Sequence, residues 1–157
     1  MKVSTLALVT IILSSTYLHA EFCANPLAGK WTCDTDVFGT NVDILVAPPG
    51  HGVSNGALIV VDLDKDLTVL NAPLDGAWTS SDEYFPVSAT CPGGSDAVVK
   101  VNFKDRPINF RKAEGSFVFV FETDPLNPQS PALHIYDDVK FKDGSNYALN
   151  ATCRTRQ

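Results

Sequence analysis

Two histidines stand beyond the first twenty residues of this chain, His51 and His134, the side chains whose ordinary pKa suits acid–base chemistry near neutral pH. His134 shares strand parity with Tyr136 and Asp138, so these side chains would form one polar stripe. With Glu83, Glu114 or Glu122 supplying a carboxylate, that stripe is the constellation a small hydrolase or ribonuclease would use. Alternation alone puts polar residues there on any strand with one wet face, and this plainer reading is preferred. His51 lies in APPGHGVSNG (47–56), a stretch punctuated by prolines and glycines that reads as a loop. Asp62, Asp64 and Asp66 make a D-x-D-x-D, but loop position six is Leu67 rather than glycine and position twelve is Pro73 rather than glutamate. It reads as a solvated hairpin end, not a calcium loop. No cysteine pair has C-x-x-C spacing, which disfavours zinc and thioredoxin-like chemistry. No G-x-S-x-G, H-E-x-x-H or P-loop occurs. The expectation is a non-enzymatic protein without metal or cofactor.

The elements that would hold these residues are strands. Trp31 and Cys33 share one face, and Val42, Ile44 and Val46 another. Residues 57–63 are a nearly continuous β-branched run, expected to be covered on both sides or to lie at an interface. Phe85, Val87, Ala89 and Cys91 alternate, with Pro86 marking an edge or a bulge. Val99, Val101 and Phe103 make an inward face that Ile108 and Phe110 continue. A turn is expected at 113–115, and then Phe117, Phe119 and Phe121 point one way. That phenylalanine segment is the most aggregation-prone in the chain, so it should be central and covered. Residues 124–131 contain three prolines and read as a loop. Leu133, Ile135, Val139 and Phe141 share a parity around Asp137, which reads as a bulge. Asp143-Gly144 centres a hairpin turn, and Tyr147, Leu149, Ala151 and Cys153 face inward after it. No window has helical periodicity. The fold class is all-β, an antiparallel sandwich or barrel of about eight to ten short strands.

Residues 1–20 read as a secretory signal peptide, with Lys2 in the n-region, an apolar stretch from Leu6 to Leu13 and Ala20 before the cut. Residues 21–157 then form a single secreted domain. No apolar run is long enough to span a bilayer. The formal net charge is −6, and losing the leader makes it one unit more negative. Nucleic acid is therefore a poor partner. The four cysteines, Cys23, Cys33, Cys91 and Cys153, imply two disulfides formed in an oxidising compartment. The pairing Cys23–Cys153 with Cys33–Cys91 is favoured, because both loops are long. Cys33–Cys153 with Cys23–Cys91 comes second, as closure of a barrel would want, and the local pairing Cys23–Cys33 last.

Binding surfaces are sought on loops 47–56 and 72–83, where His51, Trp78, Asp82, Glu83 and Tyr84 lie. Trp78 is expected to be exposed and part of a contact surface. Asn150-Ala151-Thr152 is an N-glycosylation sequon whose Asn150 points away from the apolar face. Gly29-Lys30-Trp31 resembles the G-x-W of the calycin first strand, shared by lipocalins and avidins. The resemblance covers about ten residues and implies a barrel with Trp31 at its closed end and a small apolar ligand inside. Cys33 stands where avidins carry a hydrogen-bonding asparagine, and no second or third lipocalin motif follows, although Arg154 or Arg156 is placed to cap Trp31. As a class, the chain also resembles the small, secreted, cysteine-stapled effectors and elicitors that microbes release into a host. The function expected first is extracellular, non-enzymatic binding of a protein or glycan partner. A calycin-type carrier and a small secreted hydrolase or ribonuclease are the alternatives.

Overall fold

Period-two alternation becomes nine antiparallel strands among the described residues: β1 (Gly29–Cys33), β2 (Asn41–Ala47), β3 (Ala57–Asp62), β4 (Leu67–Pro73), β5 (Val87–Thr90), β6 (Val98–Ile108), β7 (Arg111–Asp124), β8 (Asn127–Phe141) and β9 (Asn146–Thr155). The computed structural model describes residues 24–48, 56–79, 85–92, 97–124 and 127–156. No described helix is long and apolar enough to cross a membrane. The strands form one sheet in the order β4-β3-β2-β1-β9-β8-β7-β6-β5, so the first strand lies against the last. The sheet curls until its ends meet. The Gly76 N–H donates to the Ala89 carbonyl at 2.9 Å and the Thr79 N–H to the Val87 carbonyl at 2.8 Å. The segment after β4 thereby runs along β5, and the sheet is a nearly closed barrel rather than a sandwich.

Aromatic side chains fill the interior. Trp31, Phe103, Phe117 and Phe119 are fully buried with Ile44, Leu58, Leu133 and Ile135. At one end a 3-10 turn (Asn25–Leu27) precedes β1, and the Trp31 indole N–H donates to the Leu27 carbonyl at 2.9 Å. Arg154 is on the outward parity and donates instead to Asp124 at 2.7 Å. At the other end the β1–β2 connection folds inward. Its Phe38 ring lies 4.6 Å from that of Phe117 and stacks on Phe119 at 5.7 Å. This connection is held by the β3–β4 turn, where a β-carbon on Gly39 would fall 2.7 Å from the Asp62 carboxyl carbon. Asp62 is fully buried, not solvated as its sequence context suggests. Burial pushes its carboxyl up, but the Lys65 ammonium and the N–H groups of Asp64 and Lys65 outweigh this and hold it below the usual carboxylate value.

Several expectations are corrected. The β6–β7 turn lies at Asn109–Phe110, both in the left-handed region, and not at 113–115, which is continuous strand. Phe110 is consequently fully exposed instead of continuing the inward face. β8 begins at Asn127, within the stretch expected to be a loop. Asp137 makes no bulge; it stays in register opposite Phe117 and Leu149. The favoured cysteine pairing is overturned, because Cys33 is bonded to Cys153 across the β1–β9 seam. The closure argument wins here over loop length, since these two residues are directly opposite and already within bonding reach. Where two bridges were expected, this is the one disulfide seen whole among the described residues; Cys91 is disulfide-bonded too, and Cys23 lies outside them. Other expectations hold. β7 lies inside the sheet, paired on both edges, with Phe117 and Phe119 buried; β5 with Pro86 before it is a terminal strand; and Ala151 and Cys153 are buried, whereas Tyr147, expected to face inward with them, is 47 % exposed.

Candidate functional site

A bulge builds the site. Residues Phe103 and Arg106 of β6 oppose Gly115 and Ala113 of β7, so two residues of β6 face one of β7. Asp105 takes up the irregularity with a φ of 53°. Without the bulge, parity would aim Asp105 into the barrel. With it, Arg106 enters and Asp105 turns out to meet Lys112 and Lys142 at 3.7 and 3.4 Å.

Arg106 caps the aromatic column. Its guanidinium carbon lies 4.7 Å from the Phe117 ring centre, 5.6 Å from Phe103, 5.7 Å from Phe38 and 5.8 Å from Phe85. Ring faces stabilise a desolvated cation, and Arg is the cation that stacks this way. Its counter-charge is Asp137 of β8, at 3.8 Å from Nη1 to Oδ2. Asp137 is only 6 % exposed, and its other oxygen, Oδ1, is buried and finds no hydrogen-bond partner among the described residues. Burial pushes this carboxyl up to about 6, with Arg106 acting against it and Asp138 adding to it. Burial likewise pulls Arg106 down, against the pull of Asp137.

The pair opens onto a cleft of about 340 Å³ at this end of the barrel. Asp36 and Val37 of the β1–β2 connection form one wall, with Tyr147 and Leu149 of β9 beside them. Arg111 lies at the rim, paired with Asp143 and donating to Ser145 at 3.0 Å, its guanidinium 4.0 Å over the Phe141 ring. A buried carboxylate beside a guanidinium, on the wall of a cleft, can exchange a proton near pH 6.

A raised carboxyl value has a stability consequence. Between the unfolded value of about 3.9 and the folded value of about 6, the folded chain holds more protons than the unfolded one. The contribution of Asp137 to stability therefore grows as pH falls from above 6 towards 4, and the penalty of burying its charge is fully present at neutral pH. Its size is on the order of 2–3 kcal/mol. Urea unfolding of the wild-type protein and of Asp137→Asn across pH 4–8 should show their stability difference shifting towards the wild type as pH falls. A pH-independent difference would contradict it.

The residues singled out by sequence lie elsewhere. His134, Tyr136 and Asp138 point outward from β8; Tyr136 and Asp138 are exposed, and the His134 Nδ1 lies 3.2 Å from the Thr152 hydroxyl. Trp78 is 43 % exposed, with the Lys104 ammonium 4.0 Å over its ring. Asn150 is exposed on the outer face opposite Tyr136. His51, Asp82, Glu83 and Tyr84 lie outside the described residues. Arg106 and Asp137 were missed as a site. A signal existed for Asp137, a charged residue in the middle of an inward-facing apolar series, which requires a buried partner. None existed for Arg106, whose inward aim depends on the bulge. No family model matches the chain, and no curated protein and no solved structure matches it.

Proposed function

We propose that this chain is a secreted, non-enzymatic binding protein that acts outside the cell producing it, and that it holds its ligand in the cleft over Arg106 and Asp137. The observation that carries this reading is the Asp137 side chain, which lines an open cleft beside Arg106 while its Oδ1 is buried without a hydrogen-bond partner among the described residues. Such an atom is destabilising while it stays unpaired. A leader-like first segment and the Cys33–Cys153 bridge fit an oxidising, extracellular compartment. An effector or elicitor would be a binding protein of this kind. The test is an NMR titration of the labelled protein with the low-molecular-weight fraction of its own extracellular fluid. Shifts should cluster on Asp36, Arg106, Asp137 and Tyr147. Shifts confined to Trp78 and its neighbours, or none at all, would overturn the reading.

A second reading, the calycin-type carrier, is favoured by the place of Trp31: buried on the first strand of a barrel-like sheet, just after a 3-10 turn. It ranks second because phenylalanine rings occupy the interior where an apolar ligand would sit. Saturable, tight binding of a fluorescent fatty acid with quenching of Trp31 would reverse that order.

A further inference from the structure

We infer that Asn150 carries an N-linked glycan whose first sugar packs on the Tyr136 ring, on the outer face of the barrel. This rests on secretion, one part of the reading above, and not on the cleft.

The sequon Asn150-Ala151-Thr152 lies in β9, and the parity that buries Ala151 turns Asn150 and Thr152 outward. Asn150 is exposed. Its backbone is held from both sides: Tyr136 of β8 is its partner on one edge, and on the other its carbonyl accepts from the Thr35 hydroxyl at 3.0 Å. Thr152 is held likewise. Its N–H donates to the Asp34 carboxylate at 2.8 Å, its carbonyl accepts from the Asp34 N–H at 3.1 Å, and its hydroxyl lies 3.2 Å from the His134 Nδ1. A strand fixed on both edges cannot bend into the site of a transfer enzyme, so the sugar is added while β9 is still unpaired. Folding has then only to leave the modified side chain in solvent, and the outward parity of Asn150 does so.

The donor is an oligosaccharide joined to a lipid through a diphosphate. The Asn150 amide nitrogen attacks the anomeric carbon of its first sugar. A carbon–nitrogen bond forms there, the bond from that carbon to the diphosphate oxygen breaks, the lipid diphosphate leaves with the bonding pair, and the amide gives up one proton to solvent.

The surroundings say where the sugar lies. Across the outer face, Val118, Tyr136 and Asn150 form one rung, and Val120, His134 and Thr152 form the rung beside it. The valines and His134 are half-buried and Tyr136 is 44 % exposed. The His134 and Tyr136 rings are stacked, 6.4 Å between centres and 24° between planes. This is an apolar strip on a face where alternation calls for polar residues. Side chains directly opposite on neighbouring strands start about 5 Å apart, so a sugar on Asn150 reaches the Tyr136 ring. A pyranose ring has a face of C–H bonds that suits an aromatic face. On the other side of Asn150 stand Asp34 and Thr35, which are polar, and the next rung, Ser116, Asp138 and Ala148, holds no ring.

The experiment is expression of the full chain, behind its own first segment, in cultured eukaryotic cells. The peptide bearing Asn150 is weighed before and after the amidase that removes N-glycans and leaves aspartate. The secreted protein is expected to carry the glycan at Asn150. Asn150→Gln and Thr152→Ala should each abolish it, and Thr152→Ser should keep it. Thermal unfolding reads the packing. Asn150→Gln should melt about 2–6 °C below the glycosylated wild type, and the same change made in Tyr136→Ala should cost about half of that or less. Trimming the glycan to its first sugar should preserve the wild-type melting temperature. A bare Asn150 in secreted protein would overturn the glycan and leave secretion standing. A chain kept in the cytosol with its first segment uncut would overturn both. Equal losses with and without Tyr136 would overturn the packing.

Discussion

Replacing Cys33 and Cys153 together with alanine should lower the unfolding free energy by about 5 kcal/mol. The bridge spans a sequence separation of 120, so its loss frees a large part of the unfolded chain. The seam it fastens is short. The β1–β9 ladder pairs Trp31 with Thr155, Thr32 with Arg154 and Cys33 with Cys153, and is extended by the Arg156 N–H donating to the Lys30 carbonyl at 2.9 Å and the Asp34 N–H to the Thr152 carbonyl at 3.1 Å. Opening that seam exposes Trp31 and the aromatic interior it packs against, including Phe121 at 6.2 Å. A domain of this size has about 5–15 kcal/mol of stability in all, so the double variant should be barely folded at 25 °C. Alanine is the apt replacement because both cysteines are buried among apolar neighbours, where serine would add an unpaired hydroxyl. Urea unfolding followed by tryptophan fluorescence measures the change. A loss under 1 kcal/mol would mean that the other strand contacts close the barrel without the bridge.

Gly115→Ala is the single substitution expected to do most damage. A β-carbon at residue 115 would sit 1.9 Å from the Asp138 carbonyl oxygen and 2.9 Å from the Phe103 ring. The first is backbone of a neighbouring central strand, which cannot swing aside as a side chain can. Relief requires β7 and β8 to separate where Glu114–Lys140 and Ser116–Asp138 are paired, next to the register that presents Asp137. Overpacking of this kind costs about 3 kcal/mol or more. Gly144→Ala is the control. Its β-carbon would meet nothing within 4 Å, and only its φ of 84° is unfavourable, so a loss of about 1–2 kcal/mol is expected there. Thermal unfolding of both variants separates the two costs. Equal losses would show that β7 and β8 accommodate the methyl group and that glycine at 115 serves no packing need.

Alternation along each strand is a local property, and it was legible. The inward sets Val99, Val101, Phe103 and Leu133, Ile135, Val139 are buried as their parity requires. The phenylalanines of β7 announced a central strand for the same reason. Turns were legible where their chemistry is strong, as at Asp143-Gly144, and not where Asn109 and Phe110 take the left-handed conformation, because phenylalanine is not a residue that signals it.

All-β class, strand faces and a cysteine set suited to an oxidising compartment were thus determined by residue types and their spacing alone. Closure of the sheet, the Cys33–Cys153 pairing and the Arg106–Asp137 cleft were decided only by the tertiary structure. The physical reason is range. Parity is set by each residue's own backbone, whereas Cys33 meets Cys153 only after every strand between them has paired. Arg106 reaches Asp137 only because one extra residue in β6 reverses the parity that its local sequence would otherwise impose.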